Sequence, residues 1–436
     1  MKNFFAGKKV LLCGLGLQGG GEGVARFLIW AGARLTITDM KSEKELRGVI
    51  KRIGLQKAEF ILGRHQFSDF KNADLIVKNP GVPQNSPYIK YAKKLGKPIF
   101  SETQIFFSLV PHEKIIGVTG TKGKTTAAML IAHLLKKRFK IILVGNIPER
   151  SALDSLIGLK TLPDFFVYEL SSFNLEELKV SPGHAVITNI YPDHLNRYSG
   201  FKEYARVKEN IFRGQSKEDV LWLNKEDSAS KRLVRRARSR VFFFDPERKM
   251  DFGNKACLVS PVSLAAAVSV AEALGLSRRQ VKEAVASFKP AEGRMQYLGR
   301  VAGAHVINDT AATNPGAPIF SVGVIGKCLG LKPSNMILIA GGVDKGDYAD
   351  FSRKMKNLKK VILLPGSASE KIKLTKAVRV KTLKDAVLSA FKHAKKGDAV
   401  IFSPGAASFN MFKNEFDRGR AFDSLIRRAR RGRLKL

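Results

Sequence analysis

Cysteine is scarce in this chain of 436 residues, and long apolar runs are missing. Cys13, Cys257 and Cys328 lie far apart, with neither metal-ligand spacing nor a disulfide framework. This usage fits a reducing compartment, so we expect a cytoplasmic protein. No apolar run approaches the length that a membrane-spanning helix needs. Glycines break the apolar N-terminus and no small-residue cleavage site follows, which predicts a buried strand rather than a signal peptide.

Acidic residues are also few. The chain has 38 Asp and Glu residues and 76 Lys and Arg residues, which gives a net charge of +38. Such a chain attracts anions, among them nucleotides, nucleic acids and acidic membranes. The densest basic clusters are residues 231–240 and 427–435. Lysines spread over the whole chain without interleaved aromatic residues favour solvated surfaces and a loose tail. We therefore expect no nucleic-acid partner, no obligate protein partner, and at most weak contact of the tail with an anionic membrane.

The pattern of apolar segments predicts an α/β protein. A chain of this length exceeds a single compact core. Short apolar strands alternate with amphipathic helices throughout, which indicates parallel sheets. We expect three consecutive α/β domains: a Rossmann-like domain at residues 1–112, a central domain with a phosphate loop at 113–290, and a Rossmann-like domain at 291–436.

The stretch "IIGVTGTKGKTTAAML" has the parts of a phosphate-binding loop. The standard motif, G-x-x-x-x-G-K-[ST], requires a glycine where this chain has Val118. Even so, an apolar strand leads into Gly120 and Gly123, which let backbone N–H groups close on phosphate oxygens at the start of a helix. Lys124 can reach the outer phosphates, and the Thr125 hydroxyl can bind Mg²⁺. The alternative is a glycine turn with a surface lysine.

We expect nucleotide contacts along this whole loop. The residues concerned are Gly120, Thr121, Lys122, Gly123, Lys124, Thr125 and Thr126.

The N-terminal segment carries a second glycine motif. Gly14, Gly16 and Gly19 show the G-x-G-x-x-G spacing, and Asp39 follows twenty residues later. This is the dinucleotide fingerprint, in which the acidic residue binds a ribose. Taken alone, it would support a nicotinamide enzyme.

"GTKGKTT" resembles the nucleotide loop of the Mur ligases, the ATP-dependent amino-acid ligases of peptidoglycan synthesis. "VYELSSFNLE" and "TNIYPDHLNRYSGFKEYARVKENIF" follow in that family's order and spacing. The resemblance implies catalytic roles for Lys124, Glu169, His194 and Lys208. It also implies a magnesium site formed by Thr125, Glu169, His194 and a carbamylated Lys208, since a lysine ammonium cannot bind a metal.

The C-terminal segment continues the resemblance. It implies that Arg294 contacts the γ-phosphate and Asp309 the nucleotide ribose. Thr313, Lys345 and Ser408 would hold the amino-acid substrate, whose carboxylates suit a lysine and two hydroxyls. Taken singly, each of these residues could equally serve turn formation.

"DLIVKNPGVPQNSP" and "SPGAASFNMFKNEFDRG" most resemble the D-glutamate-adding branch of the family. The implied substrates are UDP-N-acetylmuramoyl-L-alanine and D-glutamate, with ATP and Mg²⁺ as cofactors and an acyl phosphate as intermediate. The first domain would bind the UDP-sugar and the third the amino acid. The implied contacts to the UDP-sugar and its neighbourhood are Gly14, Gly16, Asp39, Asn146 and Ser171.

Three features depart from the family pattern. Ala311 stands where the family usually has a lysine, and Val259–Ser260 where it usually has a His-Asn pair. "GLGLQGGGEG" is richer in glycine than usual. Three other functions stay open: a ligase of the same superfamily that adds L-glutamate or builds folylpolyglutamate, a nucleic-acid-stimulated ATPase, and a non-catalytic ATP-binding regulator.

Overall fold

The computed structural model describes residues 2–17, 19–145, 151–194, 197–248, 259–409 and 411–435. The chain forms two compact units. The first comprises Met1–Lys249 and Val262–Ala284, and the second Met250–Pro261 and Val285–Leu436. In the described residues, every helix is too short or too polar to cross a membrane.

The first unit begins with a parallel five-stranded sheet in the order β3-β2-β1-β4-β5. Its strands are β1 (Lys9–Cys13), β2 (Arg34–Asp39), β3 (Glu59–Leu62), β4 (Leu75–Lys78) and β5 (Ile99–Ser101). Its helices are α1 (Lys2–Phe5), α2 (Gly20–Trp30), α3 (Glu43–Ile53), α4 (Phe67–Asn72), α5 (Pro87–Lys94) and α6 (Glu102–Leu109). The strand order reverses between β1 and β4, and such a switch point opens a crevice at the carboxyl ends of the strands.

A second parallel sheet follows in the order β11-β10-β9-β6-β8-β7. Its strands are β6 (Ile115–Thr119), β7 (Ile141–Gly145), β8 (Phe165–Glu169), β9 (His184–Ile187), β10 (Val220–Asn224) and β11 (Arg240–Phe244). The helices of this stretch are α7 (Lys124–Leu135), α8 (Ser172–Leu175), α9 (Phe201–Glu209), α10 (Ser228–Leu233), α11 (Pro261–Ala273) and α12 (Arg278–Ser287). Phe106 on α6 packs its ring against Phe166 and Tyr168 on β8, with centroids 5.1 and 5.2 Å apart. The two sheets therefore share one apolar core.

The second unit contains a third sheet, in the order β12-β13-β17-β14-β15-β16. Its strands are β12 (Gln296–Val301), β13 (Ala304–Asn308), β14 (Met336–Gly341), β15 (Lys360–Leu364), β16 (Ala377–Arg379) and β17 (Ala399–Phe402). Its helices are α13 (Gly316–Leu329), α14 (Ala349–Met355), α15 (Ser367–Lys371), α16 (Leu383–His393) and α17 (Glu415–Arg430). The β12–β13 pair is antiparallel and the other pairs are parallel. The predicted α/β fold with parallel sheets is confirmed.

The basic C-terminus is packed rather than loose. Phe422 and Ile426 on α17 are buried in the core of the third sheet, and Leu434, beyond the end of the helix, is buried there as well. The arginines of residues 427–433 lie on the exposed face. The apolar residues of α17 recur at helical spacing and face the core, so the arginines between them face solvent.

The cysteines differ from expectation at one position. Cys328 is disulfide-bonded, so the expectation of no disulfide was wrong there, because folding can join residues that are distant in sequence. Cys13 is free and buried, and burial raises the pKa of its thiol to about 12. Cys257 lies outside the described residues.

His184 on β9 makes the stability of the fold depend on pH. Its ring packs between Phe165 and Trp222, with centroid distances of 5.6 Å to each. Burial lowers the pKa of His184 to about 4 from an ordinary 6.5. Because the folded pKa is depressed, the unfolded state takes up the proton first. The stability that this histidine contributes is therefore present above pH 6.5 and is lost as the pH falls toward 4.

We expect His184→Phe to remove most of this sensitivity. Between pH 7 and pH 5 the wild-type protein should lose about 2 kcal/mol more unfolding free energy than the variant. Urea unfolding at both pH values, followed by tryptophan fluorescence, measures the difference. Equal losses in the two proteins would contradict the assignment.

Candidate active site

The phosphate loop is a tight turn between a buried strand and a helix. β6 is buried throughout, and α7 begins at Lys124 with no acidic residue in its first turn. Gly120 and Gly123 have φ angles of 151° and 79°. A Cβ on Gly120 would lie 1.9 Å from the Thr188 hydroxyl oxygen, so the position requires glycine. The N-terminus of α7 thus offers amides and a positive dipole to an anion.

The loop is braced by two residues that the sequence analysis did not single out, Thr188 and Asn189. They follow β9, at the end of the "VITNI" stretch. The backbone N–H of Lys122 donates to Asn189 Oδ1 at 2.8 Å, and Asn189 Nδ2 donates to the Lys122 carbonyl at 3.1 Å. The Thr188 hydroxyl donates to the same carbonyl at 2.7 Å. A Thr-Asn pair at a strand end was the signal available in the sequence.

Thr125 and Glu169 meet at the start of α7. The Thr125 hydroxyl donates to Glu169 Oε1 at 3.0 Å, and both side chains are buried. They meet because β8, which ends at Glu169, lies beside β6 in the sheet. Nearby, Lys124 Nζ donates to the Thr121 carbonyl at 3.1 Å. A hydroxyl and a carboxylate are oxygen ligands of the kind that Mg²⁺ prefers.

Lys208 on α9 contacts the phosphate loop. Its Nζ donates to the Gly120 carbonyl at 2.9 Å and lies 3.4 Å from the Thr119 hydroxyl. The side chain is 1% exposed. Burial, and then the charge of Lys124, hold the pKa of Lys208 well below its usual value. In its ammonium form Lys208 supports the loop and cannot bind a metal.

His194 lies close to these groups but is half-exposed. Its backbone has a φ of 52°, and its ring centroid is 5.0 Å from that of Phe173. Burial lowers the pKa of His194, and the charges of Lys124 and Lys208 add to this effect against the opposing charge of Asp193. The neutral imidazole, which is the metal-binding form, is therefore favoured.

No group of three or more His, Cys, Asp or Glu side chains gathers into a metal site in the part of the chain that the structure describes. Mg²⁺ often takes one or two carboxylates and completes its shell with phosphates and water. The Thr125–Glu169 pair fits that requirement.

A crevice of about 560 Å³ opens at the switch point of the first sheet. Gly14, Gly16, Asp39, His65 and Tyr88 are among the residues that line it. Asp39 Oδ2 accepts hydrogen bonds from the backbone N–H groups of Leu15 and Gly16, at 2.7 and 2.9 Å. Its Oδ1 accepts from the Lys41 N–H at 2.8 Å. The carboxylate thus shapes the glycine loop.

The pKa of Asp39 reflects this position. Burial raises it, but the three backbone N–H groups outweigh burial and hold it below the ordinary value. Asp39 is therefore ionised at neutral pH.

Ser171 lies two residues after Glu169 and caps α8. Its hydroxyl accepts from the Asn174 N–H at 3.3 Å and donates to Asn174 Oδ1 at 2.5 Å. Its position beside the Thr125–Glu169 pair follows from the end of β8. Asn146, the other residue predicted for this neighbourhood, lies outside the described residues.

Three loops of the second unit bring Thr313, Lys345 and Ser408 to one edge of the third sheet. These loops follow β13, β14 and β17, which are neighbours in the sheet. They are joined by a bond from the Gly405 N–H to the Ala312 carbonyl at 2.8 Å and by a bridge between Val343 and Ala407.

The three predicted side chains differ in exposure. Lys345 is exposed, Thr313 is half-buried and Ser408 is 2% exposed. Among the described residues, the Ser408 hydroxyl has no hydrogen-bond partner. A buried hydroxyl that is left without a partner is costly, so a ligand would stabilise it.

Asp309 is turned toward the protein. Its carboxylate accepts from the hydroxyls of Ser321 and Ser403 at 2.6 and 2.7 Å, and from the Met295 N–H at 3.1 Å. Burial raises the pKa of Asp309, while those bonds and the nearby charge of Arg294 oppose the rise. Asp309 thus ties the loop after β13 to the turn that carries Arg294.

Arg418 on α17 is a third residue that was not singled out from the sequence, although it lies in the quoted "FDRG". It is 1% exposed. Its guanidinium donates to the Thr310 carbonyl at 2.9 Å, the Thr310 hydroxyl at 3.1 Å and the Ala406 carbonyl at 3.0 Å. Arg418 therefore connects the loops that carry Thr313 and Ser408.

Known proteins resemble this chain over nearly its whole length, and family models match two long stretches of it. Residues 8–101 match the family described as "Mur ligase MurD-like, N-terminal domain", and residues 118–311 match "Mur ligase middle domain". A protein of Roseiflexus sp. (strain RS-1) named UDP-N-acetylmuramoylalanine--D-glutamate ligase is 36% identical, covering 97% of this chain and 98% of its own. Proteins of the same name from Borreliella burgdorferi (strain ZS7) and Koribacter versatilis (strain Ellin345) are 35% and 34% identical. They cover 95% and 97% of this chain, and 97% and 98% of their own.

Solved structures share the fold at lower identity. UDP-N-acetylmuramate-alanine ligase MurC of Thermotoga maritima superposes with a TM-score of 0.63 at 20% identity, covering 96% of this chain and 98% of its own. MurF ligase of the same organism, solved in complex with ADP, gives 0.63 at 17% identity, covering 92% and 96%. From the two family matches and the near full-length relatives, the chain belongs to the Mur ligase family.

Proposed function

We propose that this chain is an ATP-dependent ligase that joins D-glutamate to UDP-N-acetylmuramoyl-L-alanine in the cytoplasmic synthesis of peptidoglycan precursors. The observation that carries the proposal is the braced phosphate loop, in which Thr125 meets Glu169 beside Lys124. The relatives named as D-glutamate ligases support the choice of substrates. The division into domains at residues 1–112, 113–290 and 291–436 is part of this proposal.

The proposed reaction has two steps. A carboxylate oxygen of the alanyl group attacks the γ-phosphorus of ATP, the bond to the β–γ bridging oxygen breaks, and ADP leaves. The amine of D-glutamate then attacks the carbonyl carbon of the acyl phosphate and gives up a proton. The amide forms as phosphate leaves. Catalysis of this kind depends mainly on positioning and on stabilising charge.

The side chains of the loop suit the first step. Lys124 lies at the N-terminus of α7, where its charge and the helix dipole would neutralise phosphate oxygens. Bracing by Asn189 keeps the amide of Lys122 in place, so little reorganisation is needed when ATP binds. We assign the other residues of this loop to the same phosphates, and Arg294 to the γ-phosphate.

A magnesium ion would be held by Thr125, Glu169 and His194, together with Lys208 in a carbamylated form. The ion would neutralise charge on the phosphates. Burial and the charge of Lys124 lower the pKa of Lys208, which favours its neutral amine. The neutral amine is the form that adds CO₂, with release of a proton, and the product is anionic.

The glutamate site is assigned to the edge of the third sheet. Lys345 would pair with one carboxylate, and the hydroxyls of Thr313 and Ser408 would donate to the other. The Ser408 hydroxyl, which has no hydrogen-bond partner among the described residues, fits this role. The Asp309 carboxylate accepts hydrogen bonds from Ser321 and Ser403. Any contact that it makes to a ribose would therefore be additional to this structural role.

The UDP-sugar is assigned to the crevice of the first sheet. Gly14 and Gly16 line it, and Asp39 holds their loop through backbone N–H groups. Ser171 and Asn146 are proposed to complete the substrate site.

The exposed arginines at residues 427–433 could make weak contact with an anionic membrane. We propose no nucleic-acid partner and no obligate protein partner.

Phosphate release tests the function. The protein would be mixed with ATP, Mg²⁺ and UDP-N-acetylmuramoyl-L-alanine, and then with D-glutamate, L-glutamate or neither. We expect release that requires D-glutamate. Release with L-glutamate alone would keep the proposed chemistry and change the acceptor. No release with either amino acid would refute the proposed substrates.

A further inference from the structure

The glycine-rich start of α2 brings this helix unusually close to another segment of the first unit. A Cβ on Gly23 would lie 2.2 Å from Ser151 Cβ, 2.4 Å from its hydroxyl and 3.1 Å from Asp154 Cβ. Real Cβ atoms do not approach that closely, so the contact requires glycine. Around Gly20, on the same helix, no atom of the described residues lies within 4 Å of its Cβ position. The extra glycines therefore have different roles.

The same contact includes a bidentate ion pair between Arg26 and Asp154. Arg26 on α2 donates from Nε to Asp154 Oδ1 at 2.9 Å and from Nη2 to Asp154 Oδ2 at 2.7 Å. Glu22, one turn earlier, accepts from Arg52 at 2.7 Å and lies 3.4 Å from Arg26. Paired geometry of this kind is more directional than an ordinary surface ion pair.

A second helix of the first sheet holds the segment from another side. Glu102, the first residue of α6, accepts from the Ser151 hydroxyl at 2.6 Å and from the Leu153 N–H at 3.2 Å. Residues 151–154 are thus fixed by both α2 and α6. The α2 helix begins directly after the glycine loop that lines the crevice of the first sheet.

We propose that Gly23, Arg26, Ser151 and Asp154 form a positioning contact, the α2 latch, that sets the distance between the sugar-nucleotide crevice and the phosphate loop. The inference rests on the proposed function, because those two sites must present a carboxylate and a γ-phosphate to each other. Misplacement by about 1 Å, even far from the reacting atoms, can cost about a hundredfold in rate. Gly23 would therefore act on turnover through geometry, without touching either substrate.

A pair of alanine variants tests the latch. Gly23→Ala puts a methyl group into Ser151, whereas Gly20→Ala puts the same methyl group into open space on the same helix. We expect Gly23→Ala to lower kcat by about tenfold or more, with little change in the KM for ATP. Gly20→Ala should stay within about twofold of the wild type. Equal kcat values for the two variants would overturn the proposal.

Two rescue variants separate positioning from loss of folding. Ser151→Gly removes the atoms that the new methyl group would strike, so Gly23→Ala combined with Ser151→Gly should recover kcat relative to Gly23→Ala alone. Likewise, the exchange of Arg26→Asp with Asp154→Arg should recover most of the activity that either single change removes. A purely stabilising role predicts lower melting temperatures with unchanged kcat in the folded fraction, and that result would also overturn the proposal.

Hydrogen exchange tests the contact without turnover. The backbone amides of residues 151–157 should exchange faster in Gly23→Ala than in Gly20→Ala. If wild-type protein shows no glutamate-dependent phosphate release but this difference is present, the proposed function fails and the latch stands as a structural contact. If phosphate release is normal and the exchange rates are equal, the latch fails and the function stands.

Discussion

Replacing Lys208 by methionine is expected to lower kcat by about a thousandfold, comparable to removing a main electrostatic group from an active site. Lys208 is buried and donates to the Gly120 carbonyl of the phosphate loop. Methionine fills similar space but can neither donate this bond nor carry a carbamate. Initial rates at saturating substrates measure the effect. Lys202→Met changes an exposed lysine in the first turn of the same helix, and its activity should stay within about twofold of the wild type.

Lys208→Arg separates two explanations of that loss. Arginine keeps a cation that can donate to the Gly120 carbonyl, but it does not add CO₂. If Lys208 serves as a cationic support, the arginine variant should keep a substantial part of the activity. If it serves as a carbamate, the arginine variant should be as inactive as the methionine variant, and removal of bicarbonate should slow the wild type. Activity of Lys208→Met within about tenfold of the wild type would contradict both explanations.

Replacing Arg418 by methionine is expected to destabilise the second unit by about 3 to 5 kcal/mol, because buried acceptors would lose a charged donor. Arg418 donates to Thr310 and Ala406, and burial lowers its pKa only to about 10, so it is a cation at neutral pH. The loops that it joins carry Thr313 and Ser408. Loss of these bonds should also raise the KM for the acceptor amino acid.

Urea unfolding and acceptor kinetics together test this prediction. Arg420→Met alters an exposed arginine two residues along the same helix and should change stability by no more than about 0.5 kcal/mol. Arg418→Lys keeps the charge and part of the bonding, so it should fold well enough to reveal the increase in KM. An unchanged KM in the lysine variant, with unchanged stability in the methionine variant, would count against an anchoring role.

Much of the fold and part of the candidate site could be predicted from the sequence because the signals are local. The apolar run "IIGV", the glycines after it and the helix that starts at Lys124 are adjacent in the chain. Glu169 was predicted as a magnesium ligand, and its place at the end of β8, beside β6, brings it to Thr125.

The bracing of the site was not predictable, because it depends on which distant residues come together. Asn189 bonds to a residue 67 positions away, and Arg418 to one 108 positions away. No local sequence pattern around Asn189 or Arg418 predicts which distant residue its side chain will contact. Asp39 was predicted to contact the UDP-sugar, and Asp309 the nucleotide ribose. In the structure they face backbone N–H groups and hydroxyls of the protein.

The sequence by itself determined the alternation of strands and helices, the phosphate loop and the membership of a family, because periodicity, glycine and motif order are properties of neighbouring residues. The tertiary structure decided what the motifs touch. "GLGLQGGGEG" read alone is merely rich in glycine, yet the fold brings Gly23 against Ser151, 128 residues away, and leaves Gly20 open. The physical reason is that the free-energy cost of adding a side chain at a position depends on the atoms around it, and tertiary packing determines which atoms those are.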